Sequence, residues 1–319
     1  MEKSAEYTLS TSSTVSSTRQ SLLLQIPPAL IPLSLNKPSE ETLAGLPSEE
    51  AEENPFATDN TLNTKKKTKT KYMKHFGLIG KVLVHSFSKK FFTEKFAKEG
   101  IDAQYDLYEL PVIDDFKTLI ASKEFSGFNV TIPYKEQIIP FLDSLDPIAE
   151  GIGAVNTVKF IRENGKTELR GYNTDIIGFT DSIKSLLREH HKKALILGTG
   201  GASKAVCYAF KLMGIEYKYV SRNARPDAFT YADLNEEVMK EYSVVVNCSP
   251  VGTFPHHDEA PNIPYEFLTP NHLLYDLVYN PEHTKFCQLG EAHGAICKNG
   301  LEMLHNQAIA SWKIWNDIK

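Results

Sequence analysis

The chain has 319 residues, 41% hydrophobic and 24% charged, an ordinary globular composition with length enough for two domains. Forty acidic against 35 basic residues give a net charge of −5, which argues against a nucleic-acid-binding surface and for a small-molecule partner. Cys207, Cys248, Cys287 and Cys297 show no CxxC or Cys/His ligand spacing, so neither a zinc site nor a disulfide framework is expected, and a reducing cytoplasm fits.

Residues 1–72 are rich in Ser, Thr, Pro and Glu and read as a disordered extension. Their apolar patch, Leu22 to Leu33, is broken by Pro27, Pro28 and Pro32 and is shorter than the roughly 20 residues that span a bilayer. No compact basic region precedes it, and the glutamates between 40 and 53 count against a mitochondrial transit peptide. Met73 stands directly before folded-type sequence, so the upstream segment reads as a tail or a mis-called start. A native peptide from residues 1–60 would remove the second option.

From Phe76 short apolar runs alternate with amphipathic stretches, the pattern of α/β units. Strands are expected near Phe76–Ile79, Ala103–Leu107 and Gly127–Thr131, with helices near Ser88–Glu99, Phe116–Ser122 and Pro133–Asp143. No glycine-rich loop follows these strands, so this half reads as a substrate domain. In the second half the strand Ala194–Leu197 runs into Gly198-Thr199-Gly200-Gly201-Ala202-Ser203, then a helix from Lys204 to Met213 closed by Gly214. Strand, glycine turn and helix in that order suit a pyrophosphate, met by backbone N–H groups and the positive helix end. The spacing is GxGGA and not the full GxGxxG, and a turn serving only helix packing is the plainer alternative.

The next strand, Tyr217–Val220, ends at Ser221-Arg222-Asn223, where such folds select the ribose; Arg222, with Arg225, points to a 2′-phosphate and hence NADP. A solvated arginine is the bland alternative at both positions. Strands near Val244–Asn247 and Leu273–Val278 extend the sheet, and a last helix, Leu301–Ile318, is expected to return to the first domain. The resulting architecture is a two-domain α/β protein, with residues 73–173 and 301–319 as substrate domain and 174–300 as a Rossmann-like NADP-binding domain.

Lys135 and Asp175 are the candidates for proton handling. Lys135 follows Pro133 in a first helical turn, whose positive end disfavours the ammonium, and Asp175 facing it would hold the side chain in place. Each taken singly is more simply a surface charge. Ser86 and Ser88 stand two apart, and in an extended segment both hydroxyls would face one side as a fork for a carboxylate; a helix cap is the alternative for Ser88. Thr131, Asn156 and Gln307 are neutral hydrogen-bonding groups suited to a polyhydroxylated ligand, and His85 is a weak candidate base.

Residues 76–319 resemble the shikimate dehydrogenases. The likeness rests on ordered motifs: His85-Ser86-Phe87-Ser88, Asn129 to Lys135, Gly153 to Thr157, Asn173-Thr174-Asp175, Gly198 to Ser203, Asn247 to Gly252, Asp276 to Pro281, and Gly300 to Leu304 leading to Gln307. It implies reduction of 3-dehydroshikimate to shikimate with NADPH, on the route to chorismate and aromatic amino acids. Lys135 would be the catalytic lysine and Asp175 its partner. Ser86 and Ser88 would hold the carboxylate, and Thr131, Asn156, Tyr279 and Gln307 would line the substrate site. Gly198, Thr199, Gly200, Gly201 and Ala202 would cradle the diphosphate, Ser221, Arg222, Asn223 and Arg225 would meet the 2′-phosphate end, and Leu277 and Gly300 would lie near the nicotinamide. The family commonly has Asn-Arg-Thr where this chain has Ser221-Arg222-Asn223. A quinate/shikimate dehydrogenase using NAD and a non-catalytic shikimate-binding homologue are the competing readings. A small-molecule substrate, no nucleic acid, no membrane, no metal, and a monomer or homodimer complete the expectations.

Overall fold

The computed structural model of the chain describes residues 73–83 and 86–318; the N-terminal extension and His85 lie outside them. The described residues fall within one compact unit, and among them two six-stranded sheets are built in succession.

The first sheet comprises β1 (Lys74–Gly80), β2 (Ala103–Glu109), β3 (Gly127–Val130), β4 (Ser144–Leu145), β5 (Thr157–Glu163) and β6 (Lys166–Tyr172) in the order β2-β1-β3-β5-β6-β4. Helices α1 (Phe87–Glu99), α2 (Asp115–Ser122), α3 (Tyr134–Gln137) and α4 (Pro147–Ile152) connect them. β1 pairs in parallel with β2 and β3, whereas β3–β5 and β5–β6 are antiparallel. The β5–β6 hairpin turns at Asn164 and Gly165, both at positive φ (52° and 76°). That is the Asn-Gly turn whose twist matches paired strands, and the signal for it lies in the sequence although the strand pattern alone did not reveal it. The expected helix over Pro133–Asp143 is instead the single turn α3 followed by a 3-10 turn at Ile139–Phe141. Pro140 explains the break, since it has no N–H to donate and crowds the preceding turn.

After α5 (Asp175–Ile183) the second sheet follows: β7 (Lys193–Leu197), α6 (Gly201–Met213), β8 (Glu216–Ser221), β9 (Ala228–Thr230), α7 (Glu236–Glu241), β10 (Val244–Asn247), β11 (Leu273–Asp276), α8 (Lys285–Glu291) and β12 (Ile296–Lys298). All its pairings are parallel and the order is β12-β11-β10-β7-β8-β9. This is the doubly wound arrangement of dinucleotide-binding sheets, with its switch point between β7 and β10. Period-two alternation serves both faces: Ala194, Ile196, Val244 and Val246 pack with α5 and α6, while Leu195, Leu197 and Val245 pack against Met239 of α7 and Phe286 of α8. β11 stops two residues earlier than expected because the Asp276 carboxylate accepts the Val278 N–H at 3.0 Å and turns the chain.

The last helix, α9 (Leu301–Trp315), joins two cores. Met303 lies in the apolar cluster of the second sheet, whereas Ala308 and Trp315 pack with Phe76, Phe92 and Tyr105 of the first. Trp315 Nε1 donates to the Val158 carbonyl at 3.0 Å. Contrary to the reading of the cysteines, Cys287 of α8 and Cys297 of β12 form a disulfide with Cα atoms 5.4 Å apart. The tight turn through Gly294, at φ 83°, folds the strand back onto the helix, a proximity that a spacing of ten residues does not disclose.

Candidate active site

Lys135 and Asp175 meet. Lys135 Nζ lies 2.6 Å from Asp175 Oδ2, with both side chains largely buried. Lys135 belongs to α3, beyond the C-terminal end of β3, and Asp175 opens α5, whose apolar face belongs to the second sheet. Because α3 is one turn of four residues, little helix-end field acts on Lys135, and the Asp175 carboxylate is its closest charged neighbour.

Asn156 fixes the carboxylate. Its Oδ1 accepts the Thr174 backbone N–H at 2.7 Å, which settles which way the amide points. Nδ2 is thereby aimed at Asp175 Oδ1, 2.8 Å away, and also reaches Thr174 Oγ1 at 3.0 Å. On the other flank the Asn173 side chain accepts the Asp175 N–H at 3.1 Å and donates to the Ala154 carbonyl at 2.9 Å. The carboxylate therefore has one oxygen on Asn156 and the other on the lysine, so its plane is set before any ligand arrives. Such a pair can exchange a proton with a substrate oxygen and restore its charge distribution internally.

The other predicted substrate residues lie on several elements. Gln307 of α9 is buried, and its Nε2 donates to the Leu304 carbonyl at 2.9 Å. α9 runs so close to α5 that a Cβ on Gly178 would lie 2.4 Å from the Met303 carbonyl oxygen. Thr131 directly follows β3, its carbonyl accepting the Tyr134 N–H at 2.9 Å. The serines do not form the extended fork. Ser86 is the N-cap of α1, accepting the Lys89 N–H at 3.2 Å, and Ser88 is inside the first helical turn, where it is buried beside the Tyr105 hydroxyl. Phe87, which separates them, packs edge-on against Tyr279 of the second half, ring centroids 6.4 Å apart.

The cofactor candidates lie at or beyond the C-terminal ends of the second sheet's strands, the glycine turn at its switch point. Gly198 has φ 105°, open only to glycine, and a Cβ there would stand 3.2 Å from the Ser249 amide nitrogen at the end of β10. A Cβ on Gly200 would meet nothing within 4 Å, so the mouth of the loop is open in front of the first turn of α6. That space, backed by the first N–H groups of a thirteen-residue helix, fits a diphosphate. Arg222 and Arg225 are both exposed past the end of β8; Arg225 pairs with Asp227 at 3.5 Å, which leaves Arg222 the better placed for a phosphate. Leu277 and Gly300 touch: a Cβ on Gly300 would fall 2.3 Å from the Leu277 carbonyl oxygen. Among the described residues no group of three or more His, Cys, Asp or Glu side chains is placed to hold a metal ion.

Two further side chains escaped the sequence reading. Glu136, next to Lys135, pairs with Lys204 of α6 at 2.6 Å, and the start of α6 is near enough that a Cβ on Gly201 would lie 3.4 Å from Lys135 Cβ. The glycine-loop helix thus rests against the stem of the candidate catalytic lysine. No local pattern announces a pair 68 positions apart.

Residues 78–158 match the family model described as the shikimate dehydrogenase substrate binding domain. A shikimate dehydrogenase (NADP(+)) of Caldanaerobacter subterraneus subsp. tengcongensis is 34% identical over 260 residues, covering 76% of this chain and 91% of that protein. The crystal structure of shikimate dehydrogenase from Aquifex aeolicus superposes with a TM-score of 0.68 at 35% identity, over 77% of this chain and 93% of its own. A quinate dehydrogenase from Corynebacterium glutamicum in complex with NAD also reaches 0.68, at 25% identity, covering 76% and 94%.

Proposed function

Because the chain belongs to the shikimate dehydrogenase family, we propose that Lys135 and Asp175 perform the proton transfer of its reaction. The enzyme is an NADP-dependent oxidoreductase of aromatic amino acid biosynthesis that reduces 3-dehydroshikimate to shikimate. Bound NADPH supplies the hydride. The chain's own residues supply position and proton: Lys135 Nζ, held by Asp175, donates to the carbonyl oxygen as it becomes an alcohol, and the reverse direction uses the same pair as base. Asn156 keeps the Asp175 carboxylate in the plane that suits the lysine.

In this reading Ser86 and Ser88 at the start of α1 take the substrate carboxylate, while Thr131, Gln307 and Tyr279 line the ring. Gly198 to Ala202 receive the diphosphate. Arg222, with Ser221, Asn223 and Arg225 around it, receives the 2′-phosphate, and the Leu277–Gly300 contact forms the nicotinamide side. Residues 73–173 with 301–319 act as the substrate domain and 174–300 as the dinucleotide domain. The apolar anchoring of α9 in both cores makes that helix their common wall. A cytoplasmic monomer or homodimer goes with the reading, and gel filtration decides between the two. Among the described residues no helix is long and apolar enough to cross a membrane.

The single observation that carries the mechanism is the 2.6 Å Lys135–Asp175 contact fixed by Asn156. Lys135→Ala is expected to lower turnover by a factor on the order of 10² or more while substrate binding changes far less. Unchanged turnover would remove the lysine from the chemistry. The same assay, NADP+ reduction on adding shikimate, repeated with NAD+ and with quinate, separates this reading from the quinate/NAD alternative.

A further inference from the structure

The Ser311 hydroxyl is fully buried on α9, one helical turn beyond Gln307, and has no part in the site as described above. Its Oγ donates to the Gln307 carbonyl at 2.9 Å. With its one proton committed there, its two lone pairs face three donors, Asn129 Nδ2 at 2.9 Å, Thr157 Oγ1 at 2.8 Å and Thr174 Oγ1 at 3.1 Å, and accept from two of them at a time. Thr157, Thr174 and Ser311 are all fully buried, so these donors have no solvent to turn to. Other acceptors within their reach are farther, at 3.3 Å from the Asn129 amide and 3.2 Å between the Thr157 and Thr174 hydroxyls, or already engaged: Asn156 Oδ1 lies 3.0 Å from Thr157 Oγ1 and 3.1 Å from Thr174 Oγ1 while accepting the Thr174 N–H.

The cluster leads directly to the catalytic pair. Thr174 immediately precedes Asp175, its N–H fixes the Asn156 amide, and that amide holds Asp175 Oδ1. On the far side the Asn129 amide oxygen accepts the Tyr105 hydroxyl at 2.8 Å, which lies beside Ser88. We propose that Ser311 is a positioning residue for the Lys135–Asp175 pair, acting through Thr174 and Asn156. Without its lone pairs, the Thr157 and Thr174 hydroxyls and the Asn129 amide all compete for Asn156 or for each other, and the amide that aims Asp175 loses its single orientation. This inference rests on the acid–base role assigned to Lys135 and Asp175.

The test compares Ser311→Ala and Ser311→Cys, the second keeping the buried volume while replacing a good acceptor by a poor one. Shikimate oxidation by NADP+ is followed at saturating and limiting substrate, in H2O and D2O, with Lys135→Ala in parallel. The expected result for both Ser311 variants is a fall in kcat of about tenfold, with the KM for NADP+ unchanged and a larger solvent isotope effect on kcat. A folded Ser311→Cys enzyme, or Ser311→Ala enzyme, with wild-type kcat and isotope effect would overturn the proposal even if its melting temperature fell, because packing alone would then explain the hydroxyl. If Ser311→Ala does not fold, the Cys variant decides. A fully active Lys135→Ala enzyme would instead overturn the acid–base reading, and this inference with it; an inactive one beside normal Ser311 variants would overturn only the inference.

Discussion

Lys135 and Asp175 each look like surface charges until their neighbours are known, and what makes them a pair is the Asn156 amide, whose orientation a backbone N–H dictates. A second buried carboxylate behaves differently. Asp276, fully buried at the end of β11, accepts from Asn247 Nδ2 at 2.9 Å and from the Val278 N–H, yet its Oδ2 has no hydrogen-bond partner among the described residues. Burial raises its pKa from 3.8 to about 6, partly opposed by the nearby Thr284 hydroxyl and by the hydrogen bonds from Val278 and Asn247. Since the folded state binds this proton more tightly than the unfolded chain does, the group favours folding below about pH 4, and that contribution is lost as pH rises through 6. The rise corresponds to about 3 kcal/mol. Asp276→Asn should therefore gain stability relative to wild type between pH 4 and 7, and urea midpoints of the two proteins across that range measure the difference. A constant difference would mean that Asp276 does not titrate there.

Among the elements, α9 carries the most tertiary information. Its end is fastened to the first sheet by Trp315, which packs on Phe76 with ring centroids 4.7 Å apart and donates to Val158. Gly127 makes room for that indole: a Cβ there would fall 2.2 Å from Trp315 Nε1. Gly127→Ala should displace the ring and cost about 2–4 kcal/mol through overpacking and the lost hydrogen bond. A drop in melting temperature of roughly 5–15 °C is expected, and a drop under 2 °C would show that the helix end repacks freely. α9 was legible from its periodicity and the glycine before it, and α6 from its glycine turn. α3 was not, because Pro140 ended it early, and β5–β6 was missed although Asn164-Gly165 stands in the sequence as a hairpin signal.

For the molecule as a whole, the question is what holds the two halves of the site in register. The Glu136–Lys204 pair spans from α3 to α6, with a third to a half of each side chain exposed, so its strength is that of a surface ion pair, about 0.2–1 kcal/mol. α9, anchored in both apolar clusters, is by comparison the structural tie. A double-mutant cycle on Glu136→Gln and Lys204→Met should return a coupling of about 0.5 kcal/mol in stability, vanishing at high salt. A coupling above about 2 kcal/mol would make the pair a true latch.

Local pattern and motifs met in one order carry the α/β class, the glycine turn at Gly198–Gly201, the arginine just past β8, and the choice of Lys135 and Asp175 as candidates for proton handling. Packing of the elements was needed to bring these two side chains together, to aim the carboxylate with Asn156, to make Ser86 the cap of α1 instead of one arm of a fork with Ser88, and to join Cys287 to Cys297. Apart from the Ser86 cap, those facts depend on pairings 10 to 40 positions apart, and the Asn129–Ser311 contact spans 182. Hydrophobic periodicity fixes which face of an element is buried, but the partner of a buried polar group is set by how the elements pack.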